Sequence, residues 1–259
     1  MKTILFTGAR SGIISHVIDE IIDDYKIYIT VHTHEQLKGV RKKYKDFSNV
    51  TCFKLDVTNK QDLFRLKQLD IDILVSSAAI GESGSIAEID MNKVRHNFEV
   101  NVFSNFELVQ IVIRNMLEKK RGRIIIISSL AGMVPVPFGG AYSASKASIS
   151  RLTECLNLEL KLLDTNIDVC LIEPGLYKTG FNKLLFDQKY DWMSIDSYFK
   201  HQIDFIRNTE NIVLRLFERK NFDSIVKKIK KAIVSDNPKF IYSSPFYQNL
   251  FSRLYGLFR

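Results

Sequence analysis

Short apolar runs punctuate the first 175 residues at regular intervals, at positions 4–6, 27–31, 71–75, 124–127 and 168–172. Each run is nearly continuous instead of alternating, the pattern of a strand buried on both faces. Between them, residues 15–24, 33–46 and 143–163 carry apolar positions at helical spacing. Strand and helix in alternation imply a parallel sheet, right-handed crossovers and helices on both faces. The pattern therefore predicts a three-layer, doubly wound α/β domain of about seven strands, with residues 1–259 as one unit.

After Gly175 the rhythm changes. Residues 176–235 read as a loop with two or three helices, Lys227, Lys228, Lys230 and Lys231 marking a charged helix face. Residues 238–242 supply a last short strand, and residues 245–259 form an aromatic, apolar tail with two arginines. There is no repeat, low-complexity stretch or linker, which agrees with one domain.

Composition narrows the class. The chain is 46% hydrophobic and 25% charged, which excludes wholesale disorder. No apolar run approaches the length of a membrane-spanning helix. The apolar run at positions 4–6 is too short for a secretory signal core, so a cytoplasmic protein is expected. Cys52, Cys155 and Cys170 are odd in number and widely spaced, with no metal or redox pairing, and are expected to be small core residues. The net charge is +8, and from Leu176 onward 15 Lys and Arg face 8 Asp and Glu. No nucleic-acid motif accompanies that surplus. Solvated helix surfaces are the preferred reading, and a basic face for anionic ligands or membrane headgroups is the sharper one.

Two local patterns carry chemistry. The first strand runs into Thr7-Gly8-Ala9-Arg10-Ser11-Gly12-Ile13-Ile14 and then a helix. Glycines at such a turn let the backbone approach a pyrophosphate, and the helix N-terminus offers free N–H groups. Further on, Ser128-Ser129 ends the tetra-isoleucine strand, and Tyr142-Ser143-Ala144-Ser145-Lys146 opens the next helix. Tyr and Lys four apart share one helix face. A cation beside a phenol lowers its pKa, as proton exchange near neutrality requires, and a Ser129 hydroxyl is placed to hold a substrate oxygen.

The ordered set Thr7-Gly8-x-x-x-Gly12, Leu55-Asp56-Val57, Asn101, Ser129, Tyr142-x-x-x-Lys146 and Pro174-Gly175-x-x-x-Thr179 resembles the short-chain dehydrogenase/reductase family along essentially the whole chain. The resemblance implies a Rossmann-like fold and NAD(P)(H)-dependent interconversion of a carbonyl and an alcohol. It makes Tyr142 the acid/base, Lys146 its modulator and a ribose ligand, Ser129 the polarising hydroxyl, and Asn101 the holder of a water leading to Lys146. Gly8, Arg10, Ser11, Gly12, Ile13, His32, Asp56, Val57, Ala78, Pro174, Gly175 and Thr179 would contact the cofactor with Tyr142 and Lys146. No metal is implied: His32 and His34 lack a third ligand. Homodimers or homotetramers are the family habit, through the helix that starts near Tyr142.

The pattern has departures. Ile14 and Ala79 replace customary glycines, and Ser76-Ser77-Ala78-Ala79 lacks the asparagine that usually braces the sheet. These leave open a catalytically weak nucleotide-binding scaffold or sensor. The end of the second strand has His32 where an acid would repel a 2′-phosphate, and Arg10 is near, so NADP(H) is favoured over NAD(H). Leu176, Phe181, Leu184, Leu185, Phe186, Trp192, Tyr198 and Phe199 make the segment after Gly175 apolar, pointing to a hydrophobic or acyl substrate. The alternative is reduction or epimerisation of a sugar or other polar metabolite. The tail is similar to that of the subgroup acting on lipid-like carbonyls, which raises peripheral membrane contact as an expectation.

Overall fold

A computed structural model describes residues 1–10 and 12–257. Ser11, expected at the cofactor, and the last two tail residues lie outside the described residues. Seven strands, β1 (Thr3–Phe6), β2 (Lys26–Val31), β3 (Val50–Lys54), β4 (Ile73–Ser76), β5 (Arg121–Ile127), β6 (Asn166–Pro174) and β7 (Ile241–Ser244), form one sheet. It is parallel throughout, in the order β3-β2-β1-β4-β5-β6-β7. The chain leaves β1 towards β2 on one side and later returns to β4 on the other. That reversal opens a crevice at the carboxyl ends of β1 and β4, where open α/β sheets bind ligands.

Helices α1 (Gly12–Asp19), α2 (His34–Lys43), α3 (Lys60–Arg65), α4 (Met91–Phe98), α5 (Ser104–Glu118) and α6 (Gly140–Leu160) cross between the strands. Then come α7 (Phe181–Asp187), α8 (Tyr190–Met193), α9 (Ile203–Phe217), α10 (Asp223–Val234) and α11 (Phe246–Leu257). The near-continuous apolar strands are explained by two cores. Ile4, Phe6 and Ile125 face Val17 and Ile18 of α1 and Val226 and Ile229 of α10. Leu5, Ile124 and Ile126 face Leu108, Val112 and Met116 of α5 and Ile149 of α6.

Several expectations need correction. α1 stops at Asp19 and residues 20–24 form a turn, because Asp23 and Asp24 would oppose the helix dipole at a C-terminus. The last strand lies at Ile241–Ser244 instead of 238–242, its pairing with β6 beginning at Leu171 and Ile241. Residues 176–235 hold four α-helices instead of two or three. Fully buried Lys189 ties the start of α8 to α9, its Nζ reaching Glu210 at 2.8 Å. Cys170 is buried, but Cys52 is half-buried on the edge strand and Cys155 is exposed on α6. No described helix is long and apolar enough to cross a membrane.

Candidate active site

The crevice at β1 and β4 is built by close backbone approach. Gly8 has φ of 62°, and a Cβ there would lie 2.8 Å from Ala78 Cα and from the Ser77 carbonyl oxygen. Glycine is therefore required on both steric and conformational grounds. Thr7 Oγ1 accepts from Ser77 N at 3.0 Å and Ala78 N at 3.3 Å, bolting the two strand ends together. Beyond this turn Gly12 opens α1, whose first N–H groups have no helical acceptor. Arg10 is exposed beside it and Ile13 is half-buried. Ile14, in place of glycine, is 1% exposed and packs into the core with Val17 and Ile18. A bare backbone beside a helix N-terminus fits the phosphates of a dinucleotide.

At the far end of the crevice, exposed His32 follows β2 and Asp56 follows β3, with Nδ1 and Oδ2 3.8 Å apart. Partial burial raises the Asp56 pKa, but bonds from Thr58 N and Oγ1, with the charges of His32 and Lys54, outweigh it and hold the carboxyl below its usual range. Val57 is buried beneath it. An acid thus sits close to the second strand's end after all, supplied by the neighbouring strand.

β5 delivers Ser129 to the middle of the crevice. Its Oγ accepts from Ala131 N at 3.1 Å, capping a short turn at Leu130–Gly132, and donates to Pro174 O at 3.4 Å. That turn presses on α6, where a Cβ on Gly132 would lie 2.8 Å from the Lys146 carbonyl carbon. Tyr142 and Lys146, one turn apart on α6, are 8% and 3% exposed. Burial pushes the Tyr142 phenol up to about 12, against a hydrogen bond with Ser129 that lowers it. Burial likewise brings the Lys146 ammonium down to about 8. The expected lowering of the phenol by the lysine is not what this arrangement gives. Lys146 Nζ donates to Ile127 O at 3.0 Å and lies 5.7 Å from the tyrosine ring centre, so desolvation governs both groups.

Asn101 lies in a π-helical turn, Glu99–Phe103, between α4 and α5, and is fully buried. Its Oδ1 accepts from Ile80 N at 2.9 Å, and its Nδ2 donates to Ile80 O at 2.9 Å and Ser145 Oγ at 3.0 Å. The side chain clamps the loop after β4, at Ile80, to α6 one residue before Lys146. Asn105, unremarked in the sequence, takes over the bracing role of the missing asparagine. Its Nδ2 donates to Ala78 O at 3.1 Å and Val100 O at 2.8 Å, and its Oδ1 accepts from Ser76 Oγ.

Pro174 ends β6 within 3.4 Å of Ser129 Oγ and Gly175 follows it, while Thr179 Oγ1 accepts from Phe181 N at 3.3 Å just ahead of α7. Phe181 stands over Tyr142 with ring centres 5.3 Å apart, and buried Leu185 follows one turn later. Leu184 and Tyr198, expected in the pocket wall, point to solvent at 60% and 84% exposure. Trp192 and Phe199 instead pack in a satellite core with Tyr190, Met193, Ile203 and Ile206.

Known proteins are similar to this chain in sequence and in fold. The model of the short chain dehydrogenase family matches residues 2–190. A probable short-chain type dehydrogenase/reductase of Helicobacter pylori, VdlC, is 33% identical over 190 residues, 71% of this chain and 68% of that protein. A 3-ketodihydrosphingosine reductase of Bacteroides thetaiotaomicron is 31% identical over 189 residues, 70% of this chain and 65% of that protein. The chain thus spans about two thirds of the length of these relatives. Among solved structures, a short-chain dehydrogenase/reductase of Burkholderia phymatum in complex with NAD covers 98% of this chain, itself covered to 92%, with TM-score 0.81 and 20% identity. A closed serine dehydrogenase complexed with NADP+ covers 93% of it, itself covered to 94%, with TM-score 0.77 and 21% identity. At these identities the structures speak for the fold. With a family model over most of its length and a relative one-third identical across 71% of it, the chain belongs to the short-chain dehydrogenase/reductase family.

Proposed function

We propose that this protein interconverts a carbonyl and an alcohol on a hydrophobic or acyl-type substrate, using NADP(H) in preference to NAD(H). The observation that carries the reading is the convergence of Ser129, Tyr142 and Lys146 beside the Gly8–Ala78 cradle. Gly8, Gly12 and Ala78 would hold the pyrophosphate, and Pro174, Gly175 and Thr179 the nicotinamide end. The bound cofactor supplies the hydride. In reduction, Ser129 Oγ donates to the substrate oxygen while the Tyr142 hydroxyl gives it a proton, and oxidation reverses the transfer. A phenol held up to about 12 stays protonated at neutral pH and is ready to donate. Lys146, one helical turn from Tyr142 with its Nζ 5.7 Å from the ring centre, is placed to hold the cofactor ribose, and Asn101 sets the helix that carries both.

Arg10 and His32, both exposed cations or potential cations, support the cofactor preference, and His32 Nδ1 at 3.8 Å from Asp56 Oδ2 offsets the carboxylate that opposes it. Phe181 and Leu185 support the apolar substrate. Pairing of copies through α6 belongs to the same reading, with Leu152 and Leu158 exposed there. Three free cysteines suit a reducing compartment such as the cytoplasm.

The test is cofactor oxidation at 340 nm across apolar ketones, acyl ketones and sugars, with thermal stabilisation by NADPH and NADH in parallel. Stabilisation by NADPH above NADH, with turnover of an apolar carbonyl, is expected. Stabilisation without turnover of any carbonyl would leave a nucleotide-binding scaffold, and turnover confined to sugars would overturn the substrate class.

A further inference from the structure

α11 is amphipathic in the wrong sense for a helix packed on a soluble domain. Its polar side faces inward: Ser252 is 4% exposed, Gln248 Oε1 accepts from Leu176 N at 2.8 Å, and Gln248 Nε2 donates to Phe217 O at 2.8 Å. Arg253 reaches buried Glu173 at 3.7 Å. Its apolar residues face solvent instead. Phe246, Leu250 and Leu254 form one row at four-residue spacing, and Tyr247, Phe251 and Tyr255 the row beside it. All six are exposed, Phe246 to 76% and Phe251 to 67%. The stripe runs on into the end of α9, where Tyr247 OH donates to Phe217 O at 3.3 Å and Leu216 is 67% exposed. A stripe of this size in water marks an interaction surface.

Its margin is basic. Arg215, Arg219 and Lys220 are exposed at the end of α9, and Lys178 joins them through its backbone bond to Arg219 O at 2.8 Å. Glu218, the acid among them, is half-buried and engaged by Asn182 at 2.8 Å. An isologous contact between two copies would bring two such cationic margins together. An anionic bilayer meets both the apolar stripe and the cations.

We propose that the face made by α11 and the end of α9 docks peripherally on a bilayer containing anionic lipid. Docking deepens the proposed function, because Gln248 ties α11 to the turn after Gly175 and α11 also packs against the turn after Ser129. The loops that frame the candidate site are thereby held at the lipid surface, where an apolar carbonyl enters from the membrane.

The experiment is co-sedimentation of the protein with phosphatidylcholine vesicles, with and without a third of phosphatidylserine. The wild type is compared with the Phe246→Ser/Leu250→Ser/Phe251→Ser variant. Preference for the anionic vesicles by about tenfold or more, lost in the variant and in high salt, is expected. An unchanged melting temperature of the variant shows that these exposed substitutions leave the fold intact. No sedimentation of the wild type, or equal sedimentation of the variant, overturns the proposal. A dimer that the variant dissolves, without vesicle binding, assigns the face to a second copy. Stabilisation by NADPH, read on the same samples, depends on the Gly8 cradle, so failure of docking and failure of the enzymatic reading are told apart.

Discussion

Replacing Lys146 by Met removes a buried charge while keeping a chain of similar shape. The ammonium falls from 10.5 to about 8 on folding because burial disfavours its charged form. A folded pKa below the unfolded one means that the unfolded chain binds more protons between those values. The contribution of Lys146 to stability therefore falls as pH drops from 10.5 through 8, and holds level below that. At 1.36 kcal/mol per unit the shift is worth on the order of 3 kcal/mol, most of which falls between pH 7 and pH 10. The methionine variant has no ammonium to titrate and carries no such dependence. Urea unfolding of both proteins at pH 7 and pH 10 reads the effect, since other groups titrate alike in each. The stability of Lys146→Met relative to wild type should rise by roughly 2–3 kcal/mol from pH 10 to pH 7. The lost bond to Ile127 O adds a constant offset at both pH values. A difference between the two proteins that does not change with pH would refute desolvation as the governing influence on Lys146.

Two further outcomes follow from the site. Asn105→Leu strands Ala78 O, Val100 O and Ser76 Oγ in the interior, so it should cost about 2–4 kcal/mol in urea unfolding and weaken cofactor stabilisation. Arg10→Glu puts an acid where a 2′-phosphate is expected. NADPH affinity should fall about tenfold or more while NADH affinity changes little, as measured by titration of cofactor fluorescence.

The sheet was legible because strands buried on both faces leave runs such as Ile124–Ile127 that few other structures produce. β3 was harder, since as an edge strand it keeps Thr51 exposed and Lys54 half-buried and so has no continuous run. Ser129 and Tyr142, on a strand end and a helix start, stood out only as members of the ordered motif set that carries the family resemblance, since the spacing of Tyr142 and Lys146 is common on helix surfaces. Their electrostatics were not legible. Spacing puts Lys146 on the same face as Tyr142, but only the fold shows its ammonium turned to the Ile127 carbonyl. Asn105 escaped notice because an asparagine inside a helix has no distinctive pattern, and its partners lie up to 29 residues away. The exposed stripe of α11 had a visible composition but no visible direction: which face of the tail meets the body depends on Gln248 and Ser252.

The most direct test compares wild type with Tyr142→Phe in two measurements, thermal stabilisation by NADPH and carbonyl-dependent NADPH oxidation. The ring and its contact with Phe181 survive the change, and only the hydroxyl is lost. Stabilisation by the cofactor should persist while turnover falls about 10²–10⁴-fold. Equal turnover in the two proteins would contradict the assignment of the proton to Tyr142.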